Sequence, residues 1–143
     1  MPYRYLPDIA IADVAFQATA DSLEGLFLAA ADATMNAMVA DLEAIGATET
    51  RILQVQDPEP DMLLFQLLQE LLFYKDAERL LLRVREVRIE ARPDGYSLKA
   101  EASGETIDPS RHDLLTDVKA VTLYRLRVAR AEPGWEATVV LDV

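Results

Sequence analysis

The chain has 143 residues, with one histidine, no cysteine, and 25 acidic residues against 14 basic ones. A chain of this length can bury enough surface to fold without a disulfide or a structural metal, so we expect a single domain over residues 1–143. The lack of cysteine excludes a disulfide scaffold, a thiolate zinc site and a cysteine nucleophile. The net charge of −11 argues against direct binding to nucleic acid or to an anionic membrane, because both require a positive surface.

The sequence also lacks the usual features of exported and membrane proteins. No N-terminal stretch joins a basic region to an apolar run of about 7–15 residues, so no secretory signal is expected. The most apolar window, residues 62–73, is about 18 Å long as a helix and cannot cross a hydrocarbon core of about 30 Å. We therefore expect a cytoplasmic protein in which this window is buried.

The first part of the chain predicts a strand followed by a helix. Apolar and polar residues alternate over residues 13–19, as in a half-buried strand with Asp13 at its beginning. Apolar residues then recur at helical spacing over roughly residues 22–44. Asp21 and Glu24 give the capping pattern expected at the start of this helix, and Gly46 is the expected stop.

The middle of the chain predicts a second helix and a hairpin. A short strand at residues 51–56 precedes a helix whose leucine stripe we assign to the core: Leu64, Leu67, Leu68, Leu71 and Leu72. Alternation then resumes over residues 80–91, and its shift from even to odd positions around Arg85 and Glu86 predicts a β-bulge. The turn sequence Arg92-Pro93-Asp94-Gly95 leads into a further strand.

The last part predicts mainly strands. Residues 104–115 are polar and irregular, as in a loop, and residues 118–128 alternate as one long strand. Glu132-Pro133-Gly134 predicts a turn before a last strand at residues 135–143. Strands in hairpins with two helices between them predict the α+β class: a two-layer fold with a mostly antiparallel or mixed sheet and two main helices packed on it.

Most standard catalytic patterns are absent from the sequence, which has no phosphate loop, no GxGxxG, no GxSxG and no HExxH. The single histidine, His112, lies in the polar loop, and we assign it to the solvated surface rather than to a general base. Four arginines near one strand could bind an anion, although a solvated strand face is the favoured interpretation: Arg79, Arg83, Arg85 and Arg88. Trp135 follows a turn and is interpreted as a core or turn anchor.

Two aspartates have an unusual context. Asp13 opens an apolar strand, and Asp142 is the penultimate residue of another, so its side chain lies close to the terminal carboxylate of Val143. If Asp13 lies across from that end, three hard oxygen donors converge, which suits Ca²⁺, Mg²⁺ or Mn²⁺ rather than zinc or copper. From spacing alone, two ordinary polar strand ends are the favoured interpretation, and both alternatives stay open.

Several segments taken together resemble the archease family. The stretch IAIADVAFQA is similar to the family's HTADI-type opening strand, SLEGLF to its SLEELF-type helix start, and LQELLFYKD to its LNELLY segment. The series continues through SGE and DVKAVTLY to the terminal VVLDV. The resemblance covers nearly the whole chain, and its specificity comes from the order and spacing of the segments.

This resemblance implies an activator rather than an enzyme. Archeases assist the tRNA-splicing RNA ligase of the RtcB type by promoting its metal- and GTP-dependent guanylylation, in tRNA splicing and RNA repair. The family's cation ligands match Asp13, Asp142 and the carboxylate of Val143. The implied cofactor is a divalent cation, with Ca²⁺ the ion expected in a structure and Mg²⁺ or Mn²⁺ as alternatives. The implied partner is the ligase, without direct binding to nucleic acid or membrane.

The sequence departs from the family at two histidine positions, which hold Ala10 and Tyr124, and Asp8 is a candidate compensating acid. These departures leave open a function as a chaperone-like adaptor for another nucleic-acid-processing enzyme. A metal-dependent hydrolase using Asp13 and Asp142 ranks lowest, because no base, nucleophile or phosphate cradle accompanies the two acids.

Overall fold

The computed structural model describes residues 2–7 and 13–143. Two helices and eight strands are formed within these residues. In chain order the elements are β1 (Tyr3–Tyr5), β2 (Val14–Ala20), α1 (Leu23–Met38), a 3₁₀ turn (Leu42–Ala44), β3 (Glu49–Asp57), α2 (Pro60–Glu78), β4 (Leu80–Arg92), β5 (Gly95–Thr106), β6 (Ala120–Val121), β7 (Arg127–Ala131) and β8 (Gly134–Asp142). The predicted α+β class is confirmed.

Within the described residues the strands form two antiparallel sheets. One sheet has the order β1-β2-β8-β6, with β7 also paired to β8, and the other has the order β3-β5-β4. The antiparallel pairing is as predicted, whereas the division into two sheets is not indicated by the sequence. The reason is that alternation reports which side chains of a strand are buried, but does not identify the strand with which it pairs.

The helices supply much of the core between these sheets. Helix α1 packs against β2 and β8 of the first sheet and β4 of the second, and alanines on several of its faces are buried. The leucine stripe of α2 is fully buried, as predicted: Leu64, Leu67, Leu68 and Leu71 are 0% exposed and Leu72 is 3% exposed. No helix in the described part of the chain is long and apolar enough to span a membrane.

Helix α1 differs from its prediction at both ends. Its N-cap is Ser22 rather than Asp21, and the Ser22 hydroxyl oxygen accepts a hydrogen bond from the Gly25 amide at 3.0 Å. The helix ends at Met38 instead of continuing to residue 44, because Val39 is extended and bridges to Leu114. A tertiary contact thus overrides the helical spacing that continues in the sequence.

The predicted bulge and hairpin are confirmed. The register of β4 against β5 shifts between Val84 and Glu86, and Arg92 pairs with Gly95 across the turn. Gly95 has φ 138°, a conformation open to glycine and strained for other residues. Strand β5 extends to Thr106, two residues past the predicted start of the loop, because Gly104 still pairs with Leu82.

The predicted long strand at residues 118–128 is wrong. The chain forms β6 and β7 as separate strands, joined by a turn in which the Leu126 amide donates to the Leu123 carbonyl. Arg125 in this turn has φ 55°, which is incompatible with a continuous strand. The turn at residues 132–134 is confirmed, and the last strand begins one residue earlier than predicted. Strand β1 was not predicted, because three residues are too few to show the alternation of apolar and polar residues that marks a strand.

Candidate metal centre

The end of β8 lies between two other strands of its sheet. On one side Leu141 pairs with Val14 of β2. On the other side Asp142 pairs with Ala120 of β6, and the Lys119 amide donates to the Asp142 carbonyl at 2.8 Å. The last residues of the chain are thereby held from both sides by backbone pairing.

This register brings the two predicted aspartates together. Asp13 directly precedes Val14 and Asp142 directly follows Leu141, so the two aspartates flank the same pair at the same end of two antiparallel strands. Asp142 is exposed, and Asp13 and Val143 are partly exposed. Val143, the third predicted ligand, directly follows Asp142. Solvent ions therefore have access to this end of the sheet.

The chemistry of these groups fits a hard divalent cation. No salt bridge between described residues involves Asp13 or Asp142. Like charges opposed across two strands repel each other, and a cation between them would remove that repulsion. Carboxylate oxygens are the ligands that Ca²⁺, Mg²⁺ and Mn²⁺ prefer.

The third predicted ligand is the carboxylate of Val143. In the described part of the chain, no group of three or more histidine, aspartate or glutamate side chains is arranged to hold a metal ion. The two aspartate side chains supply two carboxylates, and the free chain end at Val143 is the third candidate.

Two contacts from α2 near this site were not predicted. Lys75 is 5% exposed, and its ammonium donates to Asp117 Oδ1 at 2.5 Å and to the Val118 carbonyl at 2.7 Å. The Gln69 side-chain oxygen accepts from the Val121 amide at 3.2 Å. The burial of Lys75 could have been predicted from its spacing, since it lies four residues after Leu71 on the buried face of α2.

Of the two positions that depart from the family pattern, the structure describes only Tyr124. Ala10 and the candidate acid Asp8 lie outside the described residues. Tyr124 is 57% exposed in the turn after β6, and the Arg125 side chain donates to its hydroxyl at 3.2 Å and lies over its ring. The Tyr124 side chain is therefore exposed to solvent in the turn after β6, the strand that pairs with Asp142.

The prediction that His112 is a solvated surface residue is wrong. His112 is 2% exposed, its Nδ1 accepts from the Asp108 amide at 2.9 Å, and its Nε2 lies 3.2 Å from Glu105 Oε2. Since Nδ1 is an acceptor, the ring proton is on Nε2 and is donated to Glu105. The histidine fastens the loop after β5 to that strand, and its polar neighbours in sequence conceal this tertiary role.

The four arginines differ in their partners. Arg83 bridges Asp32 at 3.2 Å and Glu43 at 3.1 Å, and is therefore a structural link rather than part of a solvated face. Arg88 is exposed and pairs with Glu86. Arg85 donates to the Ser103 hydroxyl at 2.8 Å, and Arg79 follows the last residue of α2 with left-handed backbone angles.

Trp135 was interpreted as a core or turn anchor. The Arg130 guanidinium lies over its ring, 5.1 Å from the ring centroid, which agrees with a turn anchor.

Glu105 is the centre of a second polar cluster. Its carboxylate accepts hydrogen bonds from the Gly46 amide and from Arg111 as well as from His112. The Gly46 amide is the main cause that lowers the pKa of Glu105, with further lowering by His112 and Arg111. A carboxyl group whose pKa is lowered on folding stabilises the protein above its unfolded pKa and loses that effect as pH falls through its folded pKa.

We predict that Glu105→Gln removes part of the acid sensitivity of this protein. At neutral pH the variant should be less stable, because a neutral amide accepts weaker hydrogen bonds than a carboxylate. Between neutral pH and about pH 3 its stability should fall less than that of the unmodified chain, because glutamine does not titrate. Urea unfolding at both pH values measures this, with the exposed Glu101→Gln as control. An unchanged pH dependence in Glu105→Gln would contradict the assignment.

Comparison with known proteins identifies relatives over the full fold. The sequence model of the Archease protein family (MTH1598/TM1083) matches residues 3–143. Protein archease of Pyrococcus abyssi (strain GE5 / Orsay) is 36% identical over 133 residues, covering 92% of this chain and 93% of that protein. Protein archease of Methanopyrus kandleri is 33% identical over 143 residues, covering 100% of both chains.

Solved structures share this fold. The solution structure of protein 1598 from Methanobacterium thermoautotrophicum matches with a TM-score of 0.84 at 31% identity, covering 99% of each chain. The crystal structure of an archease from Thermotoga maritima, described as a possible chaperone, matches with a TM-score of 0.65 at 18% identity. That second match covers 94% of this chain and 93% of the other.

Proposed function

This chain belongs to the archease family, and on that premise we propose that it activates an RNA ligase of the RtcB type without catalysing a reaction itself. It binds the ligase in the cytoplasm and promotes the metal- and GTP-dependent guanylylation of that enzyme, in tRNA splicing or RNA repair. The observation that carries this proposal is the juxtaposition of Asp13 and Asp142 at one end of the β2–β8 pair.

A divalent cation is part of the proposal. Asp13, Asp142 and the terminal carboxylate of Val143 would hold it, with Ca²⁺, Mg²⁺ and Mn²⁺ as the candidates. When bound, the ion supplies positive charge among carboxylates that otherwise repel each other. The part played by this chain is to hold the two aspartates in register: Val14 pairs with Leu141 beside them, and Ala120 pairs with Asp142 on the other side.

The charge of the chain supports a protein partner with a basic surface. The net charge of −11 favours association with a positively charged groove, such as one that an RNA-joining enzyme needs for its substrate. The same charge disfavours direct contact with RNA or an anionic membrane. Attraction of this kind is screened over about 8 Å at physiological ionic strength, so ligase binding should weaken as salt is added.

The environment of the single histidine supports an activator rather than an enzyme. His112 is buried, and both of its ring nitrogens are engaged with Asp108 and Glu105. A histidine held in this way is not positioned to move a proton to or from a substrate. In this proposal the cation site acts through the ligase, whose own active site performs the chemistry.

A reconstituted guanylylation assay tests the proposal. Ligase from the same host, labelled GTP and Mn²⁺ are incubated with and without this protein, and covalent transfer of GMP to the ligase is followed over several turnovers. We expect the rate to rise at least tenfold, which corresponds to about 1.4 kcal/mol of barrier. No change at saturating protein would contradict the proposal. Dominant co-purification with a different nucleic-acid-processing enzyme would favour the adaptor alternative.

A further inference from the structure

We propose that Lys75 and Gln69 of α2 are positioning residues for the candidate cation site, acting through β6. This inference rests on the proposed function, because it concerns the site formed by Asp13, Asp142 and Val143. Neither side chain is a candidate ligand. Their effect on the site comes from the strand that they hold beside Asp142.

Strand β6 is short and is held by contacts on both of its sides. It contains only Ala120 and Val121, which pair with Asp142 and Leu141. A two-residue strand contributes few ladder hydrogen bonds, and the turn that follows carries the exposed Leu123 and Tyr124. On the β8 side, the Thr122 amide and hydroxyl also donate to the Val140 carbonyl at 3.0 and 2.9 Å, and contacts from α2 hold the segment from outside the sheet.

Lys75 anchors the chain just before β6. An ammonium group has three N–H donors, and three oxygens surround that of Lys75. It donates to Asp117 Oδ1 and to the Val118 carbonyl, and Asp76 Oδ1 lies 2.9 Å away. A buried cation without such partners is costly, so this segment is held to α2 firmly. The next residue, Lys119, is the one whose amide donates to the Asp142 carbonyl.

Gln69 anchors the other end of the same strand. Its side-chain oxygen accepts from the Val121 amide at 3.2 Å, on the side of β6 away from β8. Lys75 at Val118 and Gln69 at Val121 thus bracket the residues that pair with Asp142. Helix α2 thereby fixes one of the two strands between which Asp142 lies.

This arrangement matters because cation affinity depends on how well the ligands are pre-positioned. Removing groups that orient ligands typically lowers metal affinity by about 10- to 100-fold without removing a ligand. Loosening β6 would allow the end of β8 to move away from Asp13. The carboxylates would then have to be reordered each time an ion binds, which lowers affinity.

Titration calorimetry of the full chain with Mn²⁺ alone tests the inference. We expect Lys75→Met to bind Mn²⁺ at least about tenfold more weakly than the unmodified chain, and Gln69→Leu to show a smaller loss. Arg83→Met is the matched control, because Arg83 also links elements through two acids, Asp32 and Glu43, but does not contact β6. It should lose stability and keep its Mn²⁺ affinity.

A second readout separates positioning from general destabilisation. Amide hydrogen exchange at Lys119 should accelerate in Lys75→Met and remain unchanged in Arg83→Met, at a temperature where each variant is folded. If Lys75→Met does not fold, the same Mn²⁺ affinity and amide exchange are measured in Gln69→Leu. Unchanged Mn²⁺ affinity in the folded variants overturns the inference alone. Failure of the unmodified chain to bind Mn²⁺ overturns the proposed cation site, and this inference with it.

Discussion

Replacing Asp142 with asparagine should abolish Mn²⁺ binding and the stimulation of ligase guanylylation while leaving the fold intact. Asparagine keeps the size of the side chain but removes a charged oxygen ligand, and the remaining carboxylates cannot compensate for its charge. Asp142 is exposed, so its substitution leaves the core unchanged. The same assay that tests the proposed function measures the loss, and Asp13→Asn should behave alike.

Thermal stability gives an independent check of the same substitution. Saturating Mn²⁺ at about one hundred times its Kd should stabilise the unmodified chain by about 2.7 kcal/mol, and this gain should vanish in Asp142→Asn. Without metal the variant should be no less stable, because the repulsion between the opposed acids is relieved. Asp94→Asn is the matched control, since Asp94 is an exposed acid in the hairpin turn between β4 and β5, which belong to the other sheet. Retained Mn²⁺ stabilisation in Asp142→Asn would refute the assignment.

The chain end offers a variant that changes no side chain. Adding a residue after Val143 converts the terminal carboxylate into a neutral peptide carbonyl and moves the free charge one residue away. We expect weaker Mn²⁺ binding with an unchanged fold. An equally long extension at the N-terminus serves as the control. Equal affinity in both extended chains would remove Val143 from the ligand set while leaving the two aspartates in it.

The largest expected loss of stability comes from Gly104→Ala. A Cβ atom at Gly104 would lie 1.7 Å from the Leu81 carbonyl oxygen and 2.9 Å from the Leu82 Cα. These are backbone atoms of the paired strand, so no rotamer change relieves the overlap, and β4 and β5 must separate locally. We expect a loss of about 3 kcal/mol or more, a large share of the roughly 5–15 kcal/mol that stabilises a typical domain.

Urea unfolding compares this variant with Gly25→Ala. At Gly25 a Cβ atom would meet the Ser22 hydroxyl oxygen at 3.1 Å and the Ala20 Cβ at 3.3 Å, both side-chain atoms. The helix preference of alanine, about 0.5–1 kcal/mol over glycine, offsets that crowding. The control should therefore stay within about 1 kcal/mol of the unmodified chain. A Gly104→Ala midpoint equal to that of the control would show that the two strands tolerate the added atom.

The elements that could be predicted from the sequence are those whose signal is local. The leucine stripe of α2, the bulge between Val84 and Glu86 and the turn at Gly95 each follow from residue spacing within a few turns or strand steps. Such patterns act through nearest neighbours on one element. The capping shift to Ser22 is a small error of the same local kind.

The failures occur where contacts that alternation and polarity do not report decide the conformation. Val39 leaves the helix to bridge with Leu114, and Arg125 turns the chain where alternation predicts a continuous strand. His112 is buried although its neighbours in sequence are polar, because Glu105 and Asp108 satisfy its ring nitrogens. Alternation and polarity describe one element at a time and do not identify the groups that the element contacts.

For the candidate site too, part could be predicted from the sequence and part depends on the tertiary structure. The sequence by itself determined the acidic charge and the positions of Asp13 and Asp142 beside apolar strands. Only the tertiary structure decided that β2 and β8 pair with Val14 opposite Leu141, and that Lys75 holds the segment leading to β6. The reason is physical: ligand identity is a property of single residues, whereas proximity follows from strand register, which the whole core specifies.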